Sequence, residues 1–165
     1  MPDGLGDLRI FGKMARNFYQ LIDHTADIGI RAWGSEFTQV FEEAAKALFS
    51  VIVDLKTVSP RQKLKIELAN DSGEELFLSW LKELLFIFET KHLLLSEFKI
   101  IDLNPASSQS SPGLNPGYCL IAEVSGEVLN NNKHALGREV KAITLHQFKL
   151  VQDKGRCLAE VILDI

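Results

Sequence analysis

Asp23 and Asp27 bracket the run Asp23-His24-Thr25-Ala26-Asp27, which sits between two stretches that read as strand, Phe18 to Ile22 and Ile28 to Trp33. It is the densest polar group inside an otherwise strand-like region, so its side chains project from a bend or a strand end. Short polar side chains at such a bend commonly bond local backbone N–H groups, and an Asx or ST turn accounts for Asp23 and Thr25 taken alone. A second polar concentration closes the chain. Leu158 to Ile165 reads as a strand running to the last residue, so the α-carboxylate stands one residue from the Asp164 carboxylate and two anions are held close together. Both places offer carboxylate chemistry.

Other chemistries find little support. The sequence has no P-loop, GxGxxG, GxSxG, HExxH or EF-hand loop. His24, His92, His134 and His146 are dispersed, and pairing one of them with Cys119 or Cys157 as a nucleophile has nothing specific behind it. Two cysteines without CxxC spacing make neither a disulfide framework nor a zinc site, and read as reduced thiols of a cytoplasmic protein. Eighteen Lys and Arg against 22 Asp and Glu give a net charge of −4, which argues against a surface that tracks nucleic-acid phosphates. Apolar runs such as Leu84–Phe88 are too short to span a bilayer, and no membrane association is expected.

The elements that must position these residues follow from periodicity. With 165 residues, 46% of them hydrophobic, the chain can bury a real core as one domain, 18–165, preceded by a Gly- and charge-rich leader, 1–17, in which Met14 is an alternative start. Ser35 offers a helix N-cap, and Phe37, Val40, Phe41, Ala44, Leu48, Val51 and Ile52 recur on one face up to Asp54. Leu64, Ile66 and Leu68 alternate with charge as a half-buried strand after Pro60. Ser72 with Glu75 is a capping-box pair for a second helix, whose stripe of Leu76, Phe77, Trp80, Leu81, Leu84, Leu85 and Phe88 is core. From Glu97 the pattern is all β: 98–103, 118–127, 140–151 and 157–164, with a hairpin turn at Asp153-Lys154-Gly155. The segment 104–117, rich in Ser and Pro, reads as an exposed, mobile insertion. The expected fold class is α/β in the sense of an α+β sandwich: a largely antiparallel sheet with two helices on one face.

These residues resemble a known family. Asp23-His24-Thr25-Ala26-Asp27 followed by Ala32-Trp33-Gly34, the helix Trp80-Leu81-Lys82-Glu83-Leu84-Leu85, the run His134 to Thr144 containing Gly137-Arg138-Glu139-Val140-Lys141, and the terminal Leu163-Asp164-Ile165 together look like archease. Archeases are the small protein partners of RtcB-type RNA ligases. The resemblance covers 18–165, and the 104–117 segment is longer than a tight hairpin. It implies a strand-helix-strand-strand (SHS2-like) fold, and no independent catalysis and no enzyme, but a cytoplasmic activator that promotes guanylylation and multiple turnover of the ligase in tRNA splicing or RNA repair. RNA and GTP would be met only through the ligase.

The resemblance further implies a divalent cation, calcium first and Mg²⁺ or Mn²⁺ as alternatives, bound by Asp27, Asp164 and Ile165. Oxygen donors suit such hard cations, and gathered carboxylates would otherwise repel. Asp23, His24, Glu139 and Lys141 are assigned as supporting or partner-facing groups. Each has a plain structural alternative: a turn for Asp23, a packed core ring for His24, and a surface ion pair for Glu139 and Lys141, two apart on one strand face. Trp33, beside Gly34, is expected to pack beneath the bend. The competing functions are a small metal-dependent phosphodiesterase or nuclease using the same carboxylates, and a chaperone-like module in which the metal is structural.

Overall fold

A computed structural model describes residues 18–23, 25–105 and 117–165. The leader 1–17, His24 and the 106–116 part of the Ser/Pro-rich segment lie outside the described residues. The elements run β1 (Tyr19–Asp23), β2 (Asp27–Gly34), α1 (Phe37–Ile52), a 3-10 turn at Leu55–Thr57, β3 (Gln62–Asn70), α2 (Gly73–Lys91), β4 (Leu93–Pro105), β5 (Tyr118–Val128), β6 (Ala142–Asp153) and β7 (Arg156–Asp164). Every paired strand is antiparallel.

The expected mixed fold of two helices and antiparallel strands is present, and the strands divide between two sheets. One is four-stranded in the order β1-β2-β7-β6, and the other three-stranded in the order β3-β5-β4. Both helices contact both sheets. That placement explains why α1 is buried around most of its circumference, with Ala44, Ala45 and Ala47 as well as Phe41, Leu48 and Phe49 shut off from solvent. Small side chains allow close approach, and the large ones fill the space beyond. Phe49 meets Phe98 of β4 at 5.6 Å between ring centroids, and Phe41 meets Phe77 of α2 edge-on at 5.1 Å. Trp80, Leu84 and Leu85 are core, and the Trp80 indole N–H donates to the Phe41 carbonyl at 2.9 Å, so its polar atom is satisfied inside.

Local signals held where one side chain decides the geometry. The Ser72 hydroxyl accepts from the Glu75 N–H at 3.1 Å and starts α2 as its spacing predicts. Asp153 and Arg156 pair across a two-residue turn, with Lys154 at φ 50° and Gly155 at φ 75°, the left-handed pair that closes a twisted hairpin. Elsewhere the structure corrects the sequence reading. Glu36, not Ser35, is the N-cap of α1 and makes no side-chain cap bond; the Ser35 N–H instead donates to the Gln39 side chain at 3.1 Å. β4 begins at Leu93 rather than Phe98, because His92 ends α2 in the left-handed conformation and Leu93, Leu94 and Leu95 enter the sheet directly. All three are buried and a bulge follows at Ser96, so no alternation marks the start.

Candidate carboxylate site at the end of the four-stranded sheet

β2 and β7 are the central strands of their sheet, and their alternation sorts the site from the core. Ile28, Ile30 and Ala32 on β2, and Ala159, Val161 and Leu163 on β7, are buried in the main core. The residues between them face the other way. On that outer face the register sets Arg31 opposite Glu160, and the Arg31 Nε donates to Glu160 Oε1 at 2.8 Å. Four residues along, the same register sets Asp27 directly opposite Asp164. One rung is a satisfied ion pair; the other is two acids. Directly opposed like charges destabilise a sheet.

The chain terminus joins this rung. The Ile165 N–H reaches the Ala26 carbonyl at 3.4 Å, which continues the β2–β7 pairing to the last residue. On the other side of β7, the Lys141 N–H donates to the Asp164 carbonyl at 2.8 Å. Asp27 is half-buried, Asp164 exposed and Ile165 half-buried. Asp27, Asp164 and Ile165 are therefore brought together. Among the described residues no group of three or more His, Cys, Asp or Glu side chains gathers for a metal. An all-oxygen cation site at this rung would take its third donor from the main-chain end. The two carboxylates, with main-chain oxygen beside them, fit a hard cation by donor type and by charge.

The first acid of the motif has a different partner. Asp23 ends β1, and its Oδ1 accepts from Arg138 Nη1 at 2.8 Å, with both side chains substantially exposed. Arg138 is in turn placed by backbone. The last carbonyls of a helix have no partner within it, and here the Gly137 N–H donates to the Ile52 carbonyl at 2.7 Å and the Arg138 N–H to the Val51 carbonyl at 2.8 Å. A Cβ on Gly137 would lie 2.4 Å from the Val51 oxygen, so only glycine admits this approach.

Glu139 and Lys141 are exposed, and the strand expected to carry them on one face is not there. β6 begins at Ala142, and 138–141 lies outside any strand, with the Arg138 N–H serving α1 and the Lys141 N–H serving β7. Among the described residues no ion pair joins the two. Trp33 is likewise corrected: it lies at the opposite end of β2 from the bend and packs with Leu158 and Phe18 on the outer face. Arg138 was missed as a partner of the motif, since nothing local reveals an ion pair between positions 115 residues apart.

A second polar cluster was also invisible in the sequence. The Glu127 carboxylate, at the end of β5, accepts from Lys133 Nζ at 2.8 Å and from the Ser59 N–H. The Lys133 ammonium holds its carboxyl down at about 2 against the opposing effect of burial, with the Ser59 contacts helping to lower it. His134 is buried, and its Nδ1 accepts the Asn130 N–H at 2.9 Å, while its Nε2 faces Glu127 Oε1 at 3.3 Å. This contact is poorly aligned. The cluster ties the loop before β3 to the loop after β5 and does not reach the acidic rung. Cys119 and Cys157 are free, and burial, with Glu36 adding to it, pushes the Cys157 thiol up.

Comparison with known proteins covers the same span. The model of the Archease protein family matches residues 19–165. The protein archease of Methanosarcina mazei is 33% identical over 147 residues, 89% of this chain and 95% of that protein. That of Thermococcus kodakarensis is 36% identical over 144 residues, 87% of this chain and 95% of that protein. Among solved structures, the solution structure of Methanobacterium thermoautotrophicum protein 1598 is 32% identical with a TM-score of 0.76, covering 90% of this chain and 99% of that one. The crystal structure of a Thermotoga maritima archease, described as a possible chaperone, is 16% identical with a TM-score of 0.54 over 92% of this chain and 100% of that one, a likeness of fold alone.

Proposed function

This chain belongs to the archease family, and on that premise we propose that it is a metal-binding activator of an RtcB-type RNA ligase, raising guanylylation and turnover of the ligase in tRNA splicing or RNA repair. The observation that carries the reading is the rung of Asp27 opposite Asp164 with Ile165 hydrogen-bonded alongside at Ala26. Directly opposed acids on a sheet ladder tend to destabilise it, a cost that a bound cation would offset.

Asp27, Asp164 and the Ile165 carboxylate would hold the cation, calcium first and Mg²⁺ or Mn²⁺ as alternatives. When bound it would supply a fixed positive charge at an otherwise acidic sheet end, able to organise phosphate oxygens of a partner's substrate. The chain's own residues present the site: β2 and β7 fix the two carboxylates on the outer face, while Arg138 holds Asp23 at the end of β1. Glu139 and Lys141, both exposed beside this end, are proposed to face the ligase, as is His24. The protein is proposed to act in the cytoplasm. No helix among the described residues is long and apolar enough to cross a membrane.

Ligase turnover measured with and without this chain, at limiting GTP and with Ca²⁺, Mg²⁺ or Mn²⁺ varied, tests the reading. Multiple turnover that depends on both the chain and the ion is expected. Unchanged turnover, or hydrolysis of RNA or nucleotide by the purified chain alone, would overturn it.

A further inference from the structure

The stretch Gly137 to Lys141 touches three separate parts of the molecule. At its start, the Gly137 and Arg138 N–H groups are bonded to the Ile52 and Val51 carbonyls at the end of α1. In its middle, the Arg138 guanidinium reaches Asp23 at 2.8 Å, and Val140 is buried. At its end, the Lys141 N–H is bonded to the Asp164 carbonyl. The five residues therefore connect the first acid of the Asp23–Asp27 turn to the strand that carries Asp164, and anchor both to a buried helix. No sheet ladder enforces this path. It is set by the missing side chain at Gly137 and by the hydrogen-bonding needs of a helix end.

We propose that Gly137–Lys141 is a strap that fixes Asp23, at the end of β1, relative to Asp164, with Arg138 as its positioning residue. The inference rests on the metal reading above for its effect on cation affinity, but not for its effect on the turn itself. Arg138 touches neither member of the acidic rung; it acts through Asp23. β2 is held by its ladder to β7, whereas β1 is an edge strand with only one neighbour. The Arg138 contact supplies the second restraint on that strand end.

Electrostatics alone predicts the opposite result, which makes the proposal decidable. A guanidinium near a cation site repels the cation, so removing it should tighten binding if charge is its only influence. Loss of a positioning contact should weaken binding, on the order of tenfold as for other groups that orient metal ligands. Arg138→Lys keeps the charge but loses the planar fork, so it should recover only part of the loss.

The test uses the full chain as wild type, Arg138→Ala, Arg138→Lys and Asp23→Asn. Calorimetric titration of Ca²⁺ and of Mn²⁺ is read beside hydrogen exchange at the amides of Thr25 to Ile28 in the metal-free protein, with circular dichroism confirming the fold. Arg138→Ala and Asp23→Asn are each expected to weaken binding about tenfold and to speed exchange at the turn. The Lys variant should fall between Arg138→Ala and wild type. Tighter or unchanged binding with unchanged exchange in Arg138→Ala would overturn the strap. If wild type binds neither ion, the metal reading fails and exchange alone judges the strap: faster exchange in Arg138→Ala upholds it, unchanged exchange defeats it.

Discussion

Asp27 faces another acid across the ladder, while Arg31, four residues on, faces Glu160. Asp27→Asn keeps the shape and removes the charge. Metal affinity, read by titration of Ca²⁺, should fall on the order of tenfold or more because a hard-cation site is tuned by ligand charge. The melting temperature of the metal-free protein should hold or rise as the like-charge rung is relieved; equal affinity in the two proteins would remove Asp27 from the ligand set. Glu127 carries a separate test. Its carboxyl is held at about 2 by Lys133, below its ordinary value of about 4.5. A carboxyl lowered in the folded state contributes stability above its unfolded value, and that contribution drains away as pH falls from about 4.5 towards 2. Glu127→Gln should therefore flatten the fall of stability across that window, followed by urea melts at stepped pH, while the wild type loses stability through it. Parallel slopes in both proteins would show that Lys133 does not hold the carboxyl down.

At the scale of elements, what was legible in the sequence depended on whether one side chain or many decided the outcome. Ser72 caps α2 and Gly155 closes the β6–β7 hairpin through their own conformations, and both could be read directly. The division into two sheets could not, because period-two alternation says which side of a strand is buried but not which strand lies beside it. The start of β6 was misplaced for a related reason: Val140 is buried like a strand residue, yet the Arg138 N–H is claimed by α1 and the Lys141 N–H by Asp164. The acidic rung was half legible. Asp164 beside a terminal carboxylate is visible in the last two residues, but Asp27 joins them only through the antiparallel register, which family resemblance supplied and residue pattern did not. The end of β7 gives the element its own prediction. A Gly-Ser tail appended after Ile165 converts the terminal carboxylate into a neutral amide and adds bulk beside Ala26, so Ca²⁺ and Mn²⁺ affinity and ligase activation should both drop. The metal-free melting temperature should change little, since the tagged chain keeps the Ile165 side chain that packs, half-buried, against the core. Equal affinity in tagged and untagged protein would exclude the Ile165 terminus as a donor.

Across the whole molecule, stability and the site are carried by different parts that share one core. The main buried cluster draws residues from both sheets and both helices, including Ile30 and Val161 beside the site and Leu120 and Val124 in the three-stranded sheet. The two sheets should consequently melt together, with near- and far-ultraviolet dichroism coincident. The site, by contrast, is built only from the four-stranded sheet, its terminus and the strap, and no residue of β5 contributes to it. Leu120→Ala separates the two. Leu120 is 1% exposed in the middle strand of the other sheet, so its truncation should cost about 2–5 kcal/mol and lower the melting temperature on the order of 10 °C. Because α1 rather than β5 anchors the strap, Ca²⁺ affinity measured well below the transition should stay within about twofold of wild type, as distant sites without shared partners behave independently. A tenfold loss of affinity in the folded variant would show that the packing of the distant sheet, and not the local register and strap, sets the geometry of the acidic rung.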